Sequence, residues 1–153
     1  MNQQETQRRE QALQAMNNYM ALMTVDTMEQ WNELWAEDAV VEFPYAPAGL
    51  PAKLEGKSAI VAYYKDAPQN MRFLSAKPPT VYASTDPDVV ISELEAEFHI
   101  VSTDKPYKQF YISVLRMKDG KIASYREYWD PLRVLESFGG LEALQKAFAA
   151  SKS

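Results

Sequence analysis

The segment KDGKIASYREYWDP, residues 118–131, decides the fold. Asp119-Gly120 stands between two runs that alternate apolar and polar residues, Tyr107 to Lys118 before it and Lys121 to Trp129 after it. That pattern predicts a strand hairpin turning at the glycine. Two registers fit. A two-residue turn over Asp119-Gly120 pairs Lys118 with Lys121, whereas a three-residue turn with a left-handed glycine in a bulge pairs Met117 with Lys121. A one-residue slip moves every side chain to the opposite face, so the pattern alone leaves the partners open. What it does place is Glu127, a carboxyl flanked at alternate positions by Tyr125 and Trp129, in a strand expected to face an apolar cavity.

Working outward, alternation continues upstream through Val89 to Val101 and Arg72 to Ala83, which predicts two further strands. Before them lie helical patterns. Ala12, Leu13, Ala15, Met16, Tyr19, Met20, Leu22 and Met23 recur at helical spacing within Glu5 to Met23. Thr27 to Gln30 reads as a capping box for a shorter helix with Met28, Trp31, Leu34 and Trp35 on one face. Ala39 to Phe43 is a valine-rich strand closed by Pro44, and Tyr45 to Lys53 is a proline-containing loop placed to rim a pocket. A third helix starts at Lys57 or Ser58, carries Ile60, Tyr63, Tyr64 and Ala67 at core spacing, and ends at Pro68. Downstream of the hairpin, Pro131 opens a short helix through Val134, Leu135 and Phe138, Gly139-Gly140 stops it, and Leu141 to Ala150 forms a tail. Three helices followed by a curled antiparallel sheet make an α+β fold.

The 153 residues suit one domain spanning 1–153, with a core of about residues 10–138 and a helical tail over 139–153. Hydrophobic residues at 46% and charged ones at 24% exclude disorder. A net charge of −5 and scattered basic residues speak against nucleic acid as a partner. With no cysteine and one histidine there is little from which to build a transition-metal cage, and no glycine-rich phosphate loop occurs, so chemistry without a metal or other cofactor is expected. The polar N-terminus lacks a signal peptide's apolar core and no run could span a bilayer, so a cytoplasmic protein with no membrane partner is expected. Glu29, Glu33 and Glu37 share a helical stripe, best read as a solvated face.

The order of these elements, with NNYMALM (17–23), WAEDAVVEFP (35–44), LEGKSAIVAYY (54–64) and DGKIASYREYWDP (119–131), resembles the nuclear transport factor 2-like superfamily, which includes ketosteroid isomerase and the SnoaL-like polyketide cyclases. YREYWDPLRVLESFGG (125–140) is most similar to the phenazine-biosynthesis A/B proteins. The resemblance covers about residues 10–138 and implies a cone-shaped fold, a curved sheet wrapped around about three helices with one deep apolar pocket at the wide end. It also favours the three-residue turn, setting Glu127 opposite Tyr111 and putting Gln109, Tyr111, Ser113 and Leu115 on one face with Ala123, Tyr125, Glu127 and Trp129. With a turn at Thr103-Asp104, Leu94, Ala96, Phe98 and Ile100 join that face, while Glu93, Glu95, Glu97 and His99 point away with Lys108, Phe110, Ile112, Val114, Arg116, Ile122 and Arg126. Such an outer face suits a homodimer, which the resemblance also implies.

Burial raises a carboxyl pKa toward the range useful for proton transfer, so Glu127 is the first catalytic candidate, against the alternative of a hydrogen-bonded structural carboxyl. The resemblance implies an oxyanion-donor role for Tyr19, beside the plain reading of a packed helix tyrosine. Tyr111 and Gln109 are candidate hydrogen-bonding groups for a carbonyl or enolate oxygen, while Trp129, Phe43 and Phe98 hold a carbon skeleton. Tyr45, Ser113, Tyr125 and Trp35 complete the expected ligand-lining set, although aromatic residues at this spacing are most often core. Where ketosteroid isomerase has its general-base aspartate this chain has Phe43, and where it has its second oxyanion donor the chain has Ser113, so steroid isomerisation is not implied. Lys57 stands at the glycine-led start of the third helix, and no histidine aligns with that of the phenazine enzymes. The expected function is cofactor-independent acid/base chemistry (isomerisation, dehydration or cyclisation) on a small apolar carbonyl compound. The competing readings are a non-catalytic small-molecule-binding or dimeric interaction protein and, more remotely, an epoxide hydrolase.

Overall fold

The computed structural model describes residues 2–150, with side chains to residue 146. Its first helix, α1 (Gln3–Ala21), is capped by the Asn2 side chain, which accepts from the Glu5 amide, and buries Ala12, Ala15, Met16 and Tyr19 as one stripe. The second, α2 (Met28–Asn32), is shorter than its pattern predicts. No capping box forms at Thr27, because its hydroxyl donates instead to the Leu22 carbonyl at 2.7 Å and ties the α1–α2 turn. Leu34 and Trp35 leave the helix altogether. The Leu34 carbonyl accepts from the Ile122 amide and Trp35 opens the strand β1 (Trp35–Glu42), drawn there by a ladder partner far along the chain. Glu33 and Glu37 therefore share no helix stripe, and each lies 3.8 Å from Lys57.

After β2 (Lys53–Glu55), α3 (Lys57–Tyr64) presents Ile60 and Tyr64 to the core. Pro68 does not end that helix but occupies the first turn of a separate one, α4 (Ala67–Asn70), where its missing amide proton costs nothing. The strand expected over Arg72 to Ala83 is two, β3 (Met71–Ala76) and β4 (Thr80–Ala83), split around Pro78-Pro79, which cannot donate to a ladder. There follow β5 (Val89–Ile100), β6 (Lys105–Lys118), β7 (Lys121–Tyr128), α5 (Pro131–Phe138) and α6 (Leu141–Ala150). The sheet order is β2-β1-β7-β6-β5-β3, with β4 also on β5. This is the α+β fold expected, with one amendment: β1 and β7 pair in parallel, Val41 opposite Tyr125, so the sheet is not wholly antiparallel.

The hairpin resolves the register question in favour of neither simple choice. Asp119 and Gly120, at φ 52° and 80°, form a two-residue turn of the left-handed pair that matches strand twist, and Lys118 pairs with Lys121. A bulge then intervenes, for Met117 pairs with Ile122 but Arg116 with Ser124. The extra residue restores the predicted inward face at Tyr125 and Glu127, shifted by two: Glu127 lies opposite Ser113, not Tyr111. The same bulge turns Ile122 into the core, fully buried, where an outward position was expected. Between β5 and β6 the turn also spans more residues than predicted, Ile100 pairing with Lys105, yet Leu94, Ala96, Phe98 and Ile100 keep the expected side.

Two apolar clusters result. The larger joins α1, α2, α3, β1 and the turn end of the hairpin around Trp31, Trp35 and Met16. The smaller, around Ile100, Tyr107, Val134, Phe138 and Leu144, closes the other end of the sheet with α5 and α6. Trp129 packs against both.

Candidate active site

Between these clusters the sheet turns its most polar inward residues. β7 alternates Tyr125, Glu127 and Trp129 toward the helices, and β6 supplies Tyr107, Gln109, Tyr111 and Ser113 beside them. Tyr19 arrives from α1, Tyr63 and Tyr64 from α3, and Phe43 from the end of β1. Glu127, Tyr111, Tyr63, Phe98 and Trp129 are each only partly buried, so the inner sheet face keeps an open cleft there. Two surface grooves, of about 230 and 370 Å³, lie elsewhere: one between α1 and the hairpin turn, the other beside Lys105, Lys108 and Arg133. Neither includes Glu127, and the chemistry directs attention to the cleft.

Glu127 is the one ionisable acid on this face, and no lysine, arginine or histidine accompanies it among the inward residues Val90 to Ile100, Tyr107 to Met117 and Tyr125 to Trp129. Burial with no cationic partner pushes its carboxyl up to about 7, held back in part by the Tyr125 hydroxyl 3.3 Å from Oε2. That hydroxyl also lies 2.8 Å from Ser113 Oγ. A phenol has one proton, so it donates to Ser113 or to Glu127 at a given moment; a rotatable serine hydroxyl can reverse its own bond when the carboxylate takes the proton. Tyr19 stacks on Tyr125 with ring centroids 4.2 Å apart, and Trp35 meets both rings edge-on. Burial first, with Glu127 contributing, raises the phenols of Tyr19, Tyr64, Tyr111 and Tyr125 well above their ordinary value, and Tyr63 and Tyr107 shift the same way. All six keep their protons at neutral pH and can act as donors.

The expected ligand-lining residues fall into three groups. Glu127, Tyr111, Tyr125, Trp129, Phe43 and Ser113 come together as the walls around the carboxyl; Phe43 has its ring 5.6 Å from Tyr63 and 6.2 Å from Trp129. Phe98 stands further along, between Phe73 and Tyr107. Gln109 has a different occupation: its amide nitrogen donates to the Tyr107 hydroxyl and the Asp130 carbonyl, and its oxygen accepts from the amides of Phe110 and Asp130, so no donor or acceptor remains for a ligand. Trp35 is enclosed by Trp31, Tyr19 and Tyr125 and is 1% exposed. Tyr45 is 58% exposed and packs on Tyr128, whose side chain alternates to the outer face, so the rim loop turns this ring away from the cleft. His99 faces outward as expected, 3.0 Å from Asp104. From the sequence Tyr63 could line a planar-ligand pocket but at helical spacing reads as core, as Tyr64 does. Tyr107 was missed, though detectable by carrying the Gln109–Tyr111 alternation one step back.

A model of the SnoaL-like domain matches residues 16–125. The chain belongs to the SnoaL-like family. It is 48% identical over 131 residues to the uncharacterized protein YesE of Bacillus subtilis strain 168, covering 86% of this chain and 89% of that one. It is 39% identical over 118 residues to the uncharacterized PhzA/B-like protein PA3332 of Pseudomonas aeruginosa, covering 76% and 82%. A solved Bacillus subtilis structure, provisionally assigned as an isomerase, superposes with a TM-score of 0.82 at 46% identity over 92% of this chain and 98% of that one. The fold alone is shared with a ketosteroid isomerase from a Mycobacterium species, at 22% identity and a TM-score of 0.66 over 78% and 94% of the two chains. A protein from Xanthomonas campestris pv. campestris, provisionally assigned as a polyketide cyclase, shares it too, at 14% and 0.71 over 85% and 98%. The SnoaL-like fold thus accommodates isomerases and cyclases alongside members of no assigned activity.

Proposed function

We propose that this SnoaL-like protein is a cofactor-independent acid/base enzyme, of isomerase, dehydratase or cyclase type, acting on a small apolar carbonyl compound. The observation that carries the reading is Glu127, a carboxyl without a cationic partner in an aromatic cleft, poised near 7 by burial. Its ionised form abstracts a proton from carbon next to the carbonyl, and its acid form returns it. Tyr111 and Tyr19 supply phenolic protons for the enolate oxygen, and Phe43 and Trp129 flank the skeleton. With no cation on the inner sheet face, a carboxylated or phosphorylated substrate finds no counter-charge there and is disfavoured. The test is a titration of the Glu127 side-chain carboxyl by carbon NMR: an inflection near 7 is expected, and one near the ordinary carboxylate value would sink the acid/base role. If affinity for candidate carbonyl compounds is indifferent to Glu127→Gln and no turnover is found, the protein is a binding module instead.

The reading includes a homodimer through the outer sheet face. Phe110 and Ile112 are 45% and 47% exposed there, next to acidic Glu93, Glu95 and Glu97 on β5 and basic Lys108, Arg116 and Arg126 on β6 and β7. An acidic strip beside a basic one is complementary to a second copy turned about a two-fold axis. Sedimentation of the unmodified protein is expected to give a dimer, and Ile112→Glu a monomer; a monomeric parent at micromolar concentration overturns the assignment.

A further inference from the structure

The last two helices are fastened to the sheet to different degrees. α5 is pinned at both ends: the Asp130 backbone pairs with Gln109, the Ser137 hydroxyl donates to the Pro106 carbonyl at 3.0 Å, and the Thr103 hydroxyl donates to the Ser137 carbonyl at 2.6 Å. α6 is held more lightly. Of residues 141–146 only Leu144 is buried and Gln145 half-buried; the other four are exposed, and Glu142 and Lys146 pair with each other. Leu144 enters the cluster of Ile100, Tyr107, Val134 and Phe138, against which Phe98 and Trp129 also pack. α6 also meets the rim loop that follows Phe43. There Gln145 Nε2 donates to the Ala48 carbonyl at 3.3 Å, and a Cβ on Gly49 would collide with the same nitrogen. The helix therefore bridges the rim loop and the far end of the sheet, which border the cleft beyond Trp129. Between α5 and α6 stand Gly139 and Gly140, at φ 85° and 105°, conformations that side chains rarely adopt. A Cβ on Gly140 would meet nothing within 4 Å, so the joint has room to turn.

We propose that α6 is a lid over this end of the cleft, hinged at Gly139-Gly140 and latched by Leu144, and that ligands enter when it swings away from a fixed α5. One buried leucine and one neutral hydrogen bond favour the closed position by a factor of roughly a hundred to a thousand. An open form of that abundance, visited in microseconds to milliseconds, sets the rate of ligand entry. The proposal rests on the cleft around Glu127 being the binding site, and not on that residue's role as acid or base.

The chain has no cysteine, so Gly49→Cys combined with Gln145→Cys makes a reversible lock: oxidation ties the rim loop to α6 and reduction frees it. The probe is acetonaphthone, an apolar aromatic ketone, with binding followed by stopped-flow quenching of tryptophan emission. Oxidation is expected to slow association at least tenfold and reduction to restore it, a reversal that a damaged fold would not give. Leu144→Ala, which weakens the latch without a cross-link, is expected to speed association about tenfold. A cross-linked protein that binds as fast as its reduced form, or a Leu144→Ala protein that binds at the parental rate, overturns the lid. So does a parent that does not bind the ketone. An ordinary titration of Glu127 beside a working lock defeats the acid/base reading alone, so the two failures are told apart.

Discussion

Replacing Glu127 with glutamine should make the protein more stable at pH 8, by on the order of 3 kcal/mol, while leaving its stability at pH 4 little changed. The unfolded chain ionises this carboxyl near its ordinary value of 4.5, the native one at about 7. Below 4.5 both states hold the proton and the group is neutral to stability. As pH rises from there to 7 the unfolded state releases its proton first, so the native state binds more protons than the unfolded one and stability falls. Above 7 the native carboxylate is ionised in its apolar surroundings and the full cost is present. Glutamine keeps the shape and an acceptor oxygen for Tyr125 but cannot ionise, so urea unfolding of the variant should lose the downward slope between pH 5 and 8. Asp86, Asp88 and Glu95 are held below their ordinary values chiefly by hydrogen bonds, from the Asp88 amide, Arg8 and Lys77 respectively. What they contribute is lost as pH falls, on the acid side of that window, and does not obscure it. A parental protein equally stable at pH 5 and pH 8, with a variant that matches it, would show that Glu127 is solvated and unfit for its role. The same substitution ends proton transfer, so gain of stability and loss of turnover should come together.

That Glu127 points inward was legible in the sequence, though its cross-strand partner was not. Period-two alternation sets which residues share a face, and any two registers that differ by two residues give the same faces. The left-handed Asp119-Gly120 turn by itself would have reversed β7, and the bulge that follows it reversed it back. Nothing local announces the bulge. It arises where Ile122 is held by the Leu34 carbonyl and packs in the core, a contact more than eighty residues apart in sequence. The same long-range pairing took Trp35 out of its helix, against a helical pattern that was otherwise sound. Local chemistry misled only where a second partner competed: the Thr27 hydroxyl could cap α2 or bond Leu22, and it bonds Leu22. In the cleft, type and spacing identified the acid and its nearest aromatic neighbours. Whether a polar side chain is spent within the fold or free for a ligand depends on three-dimensional pairing, which is why Gln109, a ligand candidate by position, is spent within the fold.

Gln109→Leu should move stability in the opposite direction to Glu127→Gln, downward and at every pH. The glutamine is wholly buried and uses all four of its hydrogen-bonding positions, two of them on the backbone amide and carbonyl of Asp130. Leucine fits the space approximately but leaves those two groups, the Tyr107 hydroxyl and the Phe110 amide without that partner. At 1–3 kcal/mol for each group that stays buried and unpaired, with some relaxing toward water, the loss should be on the order of 4 kcal/mol. For a chain of this length that is a fall of roughly 10 °C in thermal midpoint. The damage should also be directional. Asp130 caps α5 by accepting from the Leu132 amide, and α5 carries Val134 and Phe138 into the cluster that closes the cleft beyond Trp129. Loosening the Asp130 backbone therefore frees α5 and Trp129 before the Trp31–Trp35 cluster. Hydrogen exchange should report this as lost protection in α5 and the end of β7 with α1 and β1 still protected. A Gln109→Leu protein as stable as its parent would mean that the amide is not the clamp its four bonds describe, and would return it to the set of groups available to a ligand.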